Sequence, residues 1–180
     1  MNILIMFILG SSIASSADSD SDGWVAVAKP SSEMISAAQE QGSGIWVVFS
    51  TQLGPEKMLV RFPEEPSYFY KESGEMEIFA HSKGDECRLQ ILEKTFESPE
   101  ELLESRQSAL AGAVVTRSES RMDESGPLVE LTYWKEGAWH QERWISTKHH
   151  TYFFSTKTAS MDLALHNTFI SSFDVEQKHS

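Results

Sequence analysis

The feature that most constrains the fold is a run of three closely spaced β-forming segments between Pro127 and Lys157. The segments are PLVELTYW (127–134), AWHQERWIS (138–146) and TYFFSTK (151–157). Antiparallel strands can be joined by short turns, whereas parallel strands need a crossover of a dozen or more residues. The spacing therefore predicts a three-stranded antiparallel meander.

A two-residue turn at Glu136-Gly137 fixes the register of the first hairpin. The predicted pairs are Trp134 with Trp139, Tyr133 with His140, Leu131 with Glu142, Glu130 with Arg143, and Val129 with Trp144. Directly opposed aromatic residues and opposite charges stabilise a sheet by roughly 0.2–1 kcal/mol each. These pairs thus need no ligand to explain them.

Strand parity sorts the same residues onto two faces. One face holds Leu128, Glu130, Trp134, Trp139, Arg143 and Ile145, and the other holds Val129, Leu131, Tyr133, His140, Glu142 and Trp144. A second turn centred on Lys148-His149 would place Trp144 opposite Phe153 and Ile145 opposite Tyr152. Both faces are largely apolar, so we expect the sheet to be covered at least partly on both sides.

The rest of the chain supplies further strands and three helices. Strands are predicted in GIWVVFS and MLVRFP on either side of Gly54-Pro55, at 67–73, 76–82, 87–95 and 114–120, and in the closing segment ISSFDVE. Helices are predicted for EMISAAQEQ (33–41), for 98–113 with Ser98 as its cap, and for 160–169 with Ser160 as its cap. The expected fold is α+β, a largely antiparallel β-sheet with helices packed on it.

Arg106 is the single charged residue on the apolar stripe of the predicted central helix. An arginine stem can lie along an apolar edge while its guanidinium stays in water. We therefore expect the charged end of Arg106 to be solvated.

The N-terminus resembles a secretory signal. An uncharged apolar run, MNILIMFILG, precedes small residues, and Ser15 and Ala17 satisfy the cleavage pattern before Asp18. The alternative is a buried first strand. The expected organisation is a signal peptide (1–17), a lead-in with a short helix (18–43), one α+β domain (44–176) and a polar tail (177–180). The protein would then be exported, to a periplasm or to the outside.

Charge and motifs exclude several functions. A net charge of −12 disfavours nucleic acid and bare membrane surfaces as partners, and no stable membrane insertion is expected of the mature form. Cys87 is predicted to be a buried, inert thiol. No cofactor motif is present, and adjacent His149 and His150 lack the spacing of a metal site.

Several strings resemble the Mog1/PsbP-like group, which includes small bacterial envelope proteins. They are WVVFSTQLGPEKMLVRFPEEP, ESPEELLESRQSAL, the meander GPLVELTYWKEGAWHQERWISTKHHTYFFST, and FISSFDVE, which together span about 44–176. The resemblance implies that group's α+β fold. Because members of that group mostly bind other proteins and share no catalytic residues, it implies binding rather than catalysis.

Three functions remain open at this point. The first is an exported, non-enzymatic module of a bacterial cell envelope that binds or scaffolds another protein. The second is a small-ligand or carbohydrate binder that uses exposed tryptophans, and the third is a hydrolase using carboxylates and His140. The predicted binding residues are Trp134 and Trp139 at the hairpin end and His149 and His150 in the following turn.

Overall fold

Two antiparallel sheets and two helices make up the structure, a computed structural model that describes residues 24–27, 35–41, 44–71 and 75–177. The strands are β1 (Trp24–Val27), β2 (Ile35–Gln41), β3 (Gly44–Leu53), β4 (Glu56–Phe62), β5 (Ser67–Lys71), β6 (Met76–Ser82), β7 (Asp85–Leu92), β8 (Val114–Met122), β9 (Pro127–Lys135), β10 (Ala138–Ser146), β11 (Thr151–Thr158) and β12 (Asp174–Gln177). The helices are α1 (Pro99–Glu104) and α2 (Leu163–Ser171).

The strands divide into a large and a small sheet. The large sheet has eight strands in the order β1-β5-β6-β7-β11-β10-β9-β8, and the small sheet has four in the order β12-β4-β3-β2. The strand pairs in the described residues are antiparallel. The predicted α+β class with a largely antiparallel sheet is therefore confirmed.

The main core lies between the two sheets. We call the side of the large sheet that faces the small sheet and α2 its inner face. Buried residues of the inner face include Leu89, Ile91, Leu128, Ile145, Tyr152 and Phe154, which pack with Phe49, Met58, Val60 and Phe62 of the small sheet and with Phe169 and Ile170 of α2. Burial of this apolar surface is the main source of stability.

A second core lies on the opposite side, the outer face of the large sheet. There α1 and the turns that follow it cover one half of the face. Phe96 and Leu102 pack onto Val129, Leu131, Tyr133, Trp144 and Phe153. The meander is thus buried on both faces, as its apolar pattern predicts.

The predicted register of the meander is confirmed. Trp134 pairs with Trp139, Glu130 with Arg143, and each of the other predicted pairs is present. Glu136 and Gly137 have φ angles of 52° and 78°. Positive φ at both positions is the signature of a type I′ hairpin turn, whose twist matches that of the strands.

The predicted helix at 33–41 is wrong, because Ile35–Gln41 forms strand β2 and pairs with β3. Trp24–Val27 also forms a strand, β1, which pairs with β5. The segment predicted as a lead-in therefore adds one strand to each sheet. Helix propensity is a weak preference, and an adjacent strand that offers a ladder of backbone hydrogen bonds overrides it.

The central helix is shorter than predicted. Ser98 caps α1 as expected, accepting a 3.1 Å hydrogen bond from the Glu101 amide. The helix ends at Glu104, and turns with bonds to the third preceding carbonyl follow, such as Arg106 to Leu103. The Ser105 hydroxyl donates to the Leu102 carbonyl, and the turns bring Arg106 down onto the sheet.

The second helix begins later than predicted. Its cap is Asp162, whose side chain accepts from the Leu165 amide, in place of the expected Ser160. The predicted signal peptide at 1–17 and residues 178–180 of the predicted tail lie outside the described residues, while Gln177 belongs to β12. Neither helix in the described part of the chain is long and apolar enough to cross a membrane.

Candidate functional site

Among the described residues, α1 and the turns after it cover one half of the outer face of the large sheet, and the side chains of the other, open half are mostly partly exposed. Beyond the edge of the α1 layer, strands β5, β6, β7 and β11 present rows of polar and aromatic side chains. Register places His140, Lys157, Glu86 and His81 in one row, and Glu142, Ser155, Arg88 and Phe79 in the next. The two rows cross from the covered half into the open half.

A cleft of about 310 Å³ lies where the two halves meet. We call it the outer cleft. It is lined by Glu86, Arg88, Gln90, Arg106, His140, Glu142, Phe153, Ser155 and Lys157. Charged and polar side chains dominate this lining, in contrast to the two cores.

Glu142 lies at the floor of the cleft and accepts hydrogen bonds from the side chains around it. Its side chain is 3% exposed and accepts four hydrogen bonds. Arg106 donates two of them, at 3.1 and 2.7 Å, while the Tyr133 hydroxyl donates at 2.6 Å and the Trp144 indole at 3.2 Å. A buried carboxylate is tolerated only when it is paired and hydrogen-bonded in this way.

The charged end of Arg106 is paired with Glu142 and the side chain is only 17% exposed, so it is less solvated than predicted. Its guanidinium carbon lies 4.9 Å from the Trp144 ring and 5.2 Å from the Phe153 ring. The side chain bridges the α1 layer and the sheet. A planar guanidinium can bind a carboxylate with two parallel bonds and stack on aromatic faces at once, which lysine cannot do.

The saturation of Glu142 restricts its chemistry. Each of its oxygens accepts two hydrogen bonds, and Arg106 neutralises its charge. Burial raises the pKa of Tyr133, and the adjacent Glu142 raises it further. The Tyr133 hydroxyl therefore stays protonated. Neither Glu142 nor Tyr133 is free to transfer a proton as a general acid or base.

His140 lies beside this group at the rim of the cleft. Its ring stacks on the Tyr133 ring, with centroids 4.9 Å apart and planes 3° from parallel. Burial lowers the pKa of His140, and Lys157 on the neighbouring strand lowers it further. The imidazole is therefore neutral at pH 7.

Lys157 is the unpaired cation of the cleft. It lies directly opposite His140, and its side chain is exposed. Among the residues that the structure describes, none forms a hydrogen bond or ion pair with its ammonium group. The cleft therefore has a free positive charge on a protein whose net charge is −12.

Arg88 organises the open half of the outer face. It contacts Glu86 at 2.8 Å and Glu77 at 3.0 Å, and Gln90 donates to Glu77 at 3.0 Å. Beside them Phe79 stacks on Phe69, with ring centroids 5.3 Å apart and planes 8° from parallel. These contacts hold the partly exposed side chains in one arrangement.

Trp134 and Trp139 lie on the inner face, away from the cleft. Their rings are 5.5 Å apart and meet edge to face at 67°, and Trp134 is 36% exposed. Sugar-binding tryptophans present a flat ring to the ligand, whereas this arrangement is typical of aromatic packing. Trp134 and Trp139 form a cross-strand pair, as the register predicts.

His149 and His150 lie at the other end of β10, roughly 25 Å from the tryptophans at about 3.3 Å per residue. His149 is half-buried in the turn from Thr147 to His150. The four predicted binding residues therefore do not form one site.

His150 takes part in a buried cluster that links the two sheets. Its Nδ1 lies 2.7 Å from Oε2 of Glu56, and the Tyr152 hydroxyl donates to the same oxygen at 2.9 Å. Glu56 is completely buried, and its other oxygen has no hydrogen-bond partner among the described residues. In sequence Glu56 follows Gly54-Pro55 and has the pattern of a solvated turn residue, so no signal marks it.

Cys87 is buried on the inner face, as predicted. Burial, together with the negative charges of Asp85 and Glu86, raises the pKa of its thiol to about 12. A protonated, inaccessible thiol is unreactive. In the part of the chain described by the structure, no group of three or more His, Cys, Asp or Glu side chains is arranged to hold a metal ion.

Comparison with known proteins gives no assignment. No protein-family model matches the chain, and no curated protein matches it.

Proposed function

We propose that this chain is an exported, non-enzymatic module of a bacterial cell envelope that binds another protein through the open half of its outer face. The observation that supports this most directly is the set of partly exposed side chains held in place beside the outer cleft. Phe79 stacks on Phe69, and Arg88 is fixed by Glu77 and Glu86. A pre-ordered surface loses little conformational entropy on binding.

The composition of this surface favours a protein partner. Aromatic residues and arginine are enriched in protein interfaces, and the strongest contributions to binding come from such residues. Pockets for small ligands are mainly apolar with a few polar groups. The outer cleft has the opposite composition, because ion-paired and polar side chains form most of its lining.

The hydrolase alternative has less support in the geometry. The four hydrogen bonds to Glu142 leave it no capacity to accept a proton from water or substrate. His140 stacks on Tyr133, and its side chain forms no hydrogen bond with a carboxylate of the described residues. A histidine base normally needs such a partner to fix its orientation.

Export and the Mog1/PsbP-like fold group are further parts of the proposal. The uncharged apolar run before Asp18 supports export, and cleavage there predicts a mature protein whose N-terminal residue is Asp18. The order of the S-P-E-E helix, the meander and the closing strand supports the fold group. Intact-mass measurement of protein recovered from a bacterial envelope fraction tests the cleavage site.

Site-specific photo-crosslinking tests the binding surface. A photoreactive residue at Phe79 should capture one specific partner from a bacterial envelope extract, whereas the same residue at Tyr70 should not. Tyr70 is the matched control because it is exposed but lies on the opposite face of the neighbouring strand.

Competition makes the crosslinking test quantitative. Excess unlabelled protein should abolish the Phe79 product, while Lys157→Glu protein should compete about tenfold less well, because reversal of an interface charge commonly weakens binding by that order. Equal capture from both positions, or equal competition by both proteins, would contradict the proposed surface. Tryptophan emission that changes with an added oligosaccharide would instead favour the carbohydrate alternative.

A further inference from the structure

Strand β8 ends the large sheet and has an uncovered edge. It pairs with β9 on one side, and no other described strand lies on the other side. All nine of its residues, Val114–Met122, are exposed. An exposed edge strand presents unpaired N–H and C=O groups that can bind another strand.

The hydrogen-bond pattern identifies which backbone groups are free. Asp123 and Gly126 exchange two hydrogen bonds, at 3.0 and 3.2 Å, where β8 turns into β9. Hydrogen-bonded pairs alternate with non-bonded pairs along an antiparallel ladder. The backbone N–H and C=O groups of Arg121 and Glu119 therefore bond to β9. The outward-directed backbone groups belong to Ser118, Ser120 and Met122.

The sequence of this edge is complementary to itself. If a second copy pairs antiparallel about a two-fold axis at Ser120, Glu119 of each copy lies opposite Arg121 of the other. Ser118 then lies opposite Met122, and the outward backbone groups of each strand meet those of its partner. Opposite charges directly across a ladder are favourable, and like charges are unfavourable.

Other positions of the two-fold axis along β8 give less favourable pairings. An axis at Glu119 would oppose two Glu119 side chains and place Arg117 against Arg121 of the other copy. An axis at Ser118 would extend the pairing into the bulge at Thr116, where the register with β9 shifts and the threonine hydroxyl bonds to the Thr132 carbonyl. Charge and backbone regularity together select Ser120.

We propose that two copies of this chain associate through β8, with the two-fold axis at Ser120. The two large sheets then form one continuous sheet, and because the axis is perpendicular to it, both outer faces lie on the same side. A five-residue ladder buries little surface, so the dimer belongs to the weak class of interfaces. This inference is independent of the proposed function.

Charge reversal tests the pairing. Glu119→Arg and Arg121→Glu should each weaken dimerisation about tenfold, since each creates two like-charge pairs. An equimolar mixture of the two variants should form heterodimers as tightly as wild type, because both cross-strand pairs become opposite in charge. Sedimentation velocity over a concentration series measures each dissociation constant. Wild-type protein that stays monomeric up to about 1 mM, the weak limit of specific association, or a mixture that fails to recover, would overturn the proposal.

Disulfide trapping tests the register. Opposed residues of a hydrogen-bonded pair have Cα atoms about 5.5 Å apart, within the range that a disulfide spans. Oxidation should therefore link Ser120→Cys protein into covalent dimers and leave Ser118→Cys protein monomeric. Buried Cys87 does not compete. Cross-linking through position 118 in place of 120 would refute an axis at Ser120. The thermal midpoints of both reduced variants should match wild type, since both residues are exposed.

Discussion

At the scale of single residues, the pairing of Arg106 with Glu142 is the most consequential contact. It joins a turn after α1 to the middle of the large sheet, and both side chains are largely removed from water. Charges in that position stabilise a fold little compared with apolar residues of the same size, but removal of one partner leaves the other uncompensated. The pair therefore fixes the position of the α1 layer at the cleft.

Arg106→Met should lower the free energy of unfolding by about 2–4 kcal/mol, because Glu142 loses two of its four donors while it remains buried. The double variant Arg106→Met/Glu142→Gln should be more stable than the single variant, since glutamine removes the stranded charge and still accepts from Tyr133. Denaturant unfolding measures both. Arg117→Met is the control, because Arg117 is 54% exposed and its loss should change stability little. If Arg106→Met loses no more stability than Arg117→Met does, this account is contradicted.

His166 should make stability depend on pH. Burial, together with the charge of Arg143, lowers its pKa from 6.5 to about 4, while Thr156 bonds to its Nδ1 at 2.9 Å. Between these pH values the unfolded chain binds the proton that the folded protein excludes, so stability falls as pH is lowered. The loss should reach about 3 kcal/mol near pH 4.

The measurement for His166 is the free energy of unfolding at intervals from pH 7 to pH 4, in parallel with a His166→Gln variant. Glutamine retains a side-chain group that can bond to Thr156 but does not titrate in this range. The wild-type curve should therefore be steeper than that of the variant. Parallel curves would show that His166 is not the group responsible.

At the scale of elements, the β9–β10 turn contains a residue in an unfavourable conformation. Glu136 has a φ of 52°, a left-handed conformation that asparagine and glycine adopt more readily. Glu136→Asn should therefore raise stability by about 0.5–1 kcal/mol. Thermal unfolding measures the gain, and Gly137→Ala, at a φ of 78°, should have the opposite effect. An unchanged or lower midpoint for Glu136→Asn would contradict the type I′ assignment.

The elements also show what sequence predicts well. The register of the meander was predictable, because short turns leave one register and parity then assigns each face. The helix at 33–41 was not, because Ile35–Gln41 becomes a strand only through pairing with β3. The local sequence pattern does not indicate that a strand from another part of the chain will pair with this segment.

The same contrast between local pattern and distant contacts applies to the candidate site. The sequence predicts that His140 and Glu142 share a face of the sheet, but not that Arg106 arrives from the α1 layer to neutralise Glu142. It likewise gives no indication that Glu56, beside Gly54-Pro55, is buried against Tyr152. Both contacts depend on how layers stack, which strand periodicity leaves open.

At the scale of the whole molecule, the two sheets are tied at one end by Glu56, His150 and Tyr152. Tyr152→Phe should cost about 1–3 kcal/mol, because the fully buried Glu56 carboxylate loses a donor and no water replaces it easily. Adding Glu56→Gln should recover part of that loss. Denaturant unfolding is the measurement, and Tyr70→Phe is the control because Tyr70 is exposed. If Tyr152→Phe is as stable as the control, the carboxylate is not held by this hydroxyl.

The small sheet is assembled from both ends of the domain, and this has a consequence for how the chain folds. Leu59 of β4 pairs with Asp174 of β12, so the sheet is closed by a segment that is distant along the chain. Contacts between such distant positions slow folding, because a long loop must be ordered before they form. Until β12 arrives, one edge of β4 has no strand to pair with. The small sheet should therefore be completed only when Asp174–Gln177 is free to pair with β4, and this late contact should limit the rate at which the domain folds.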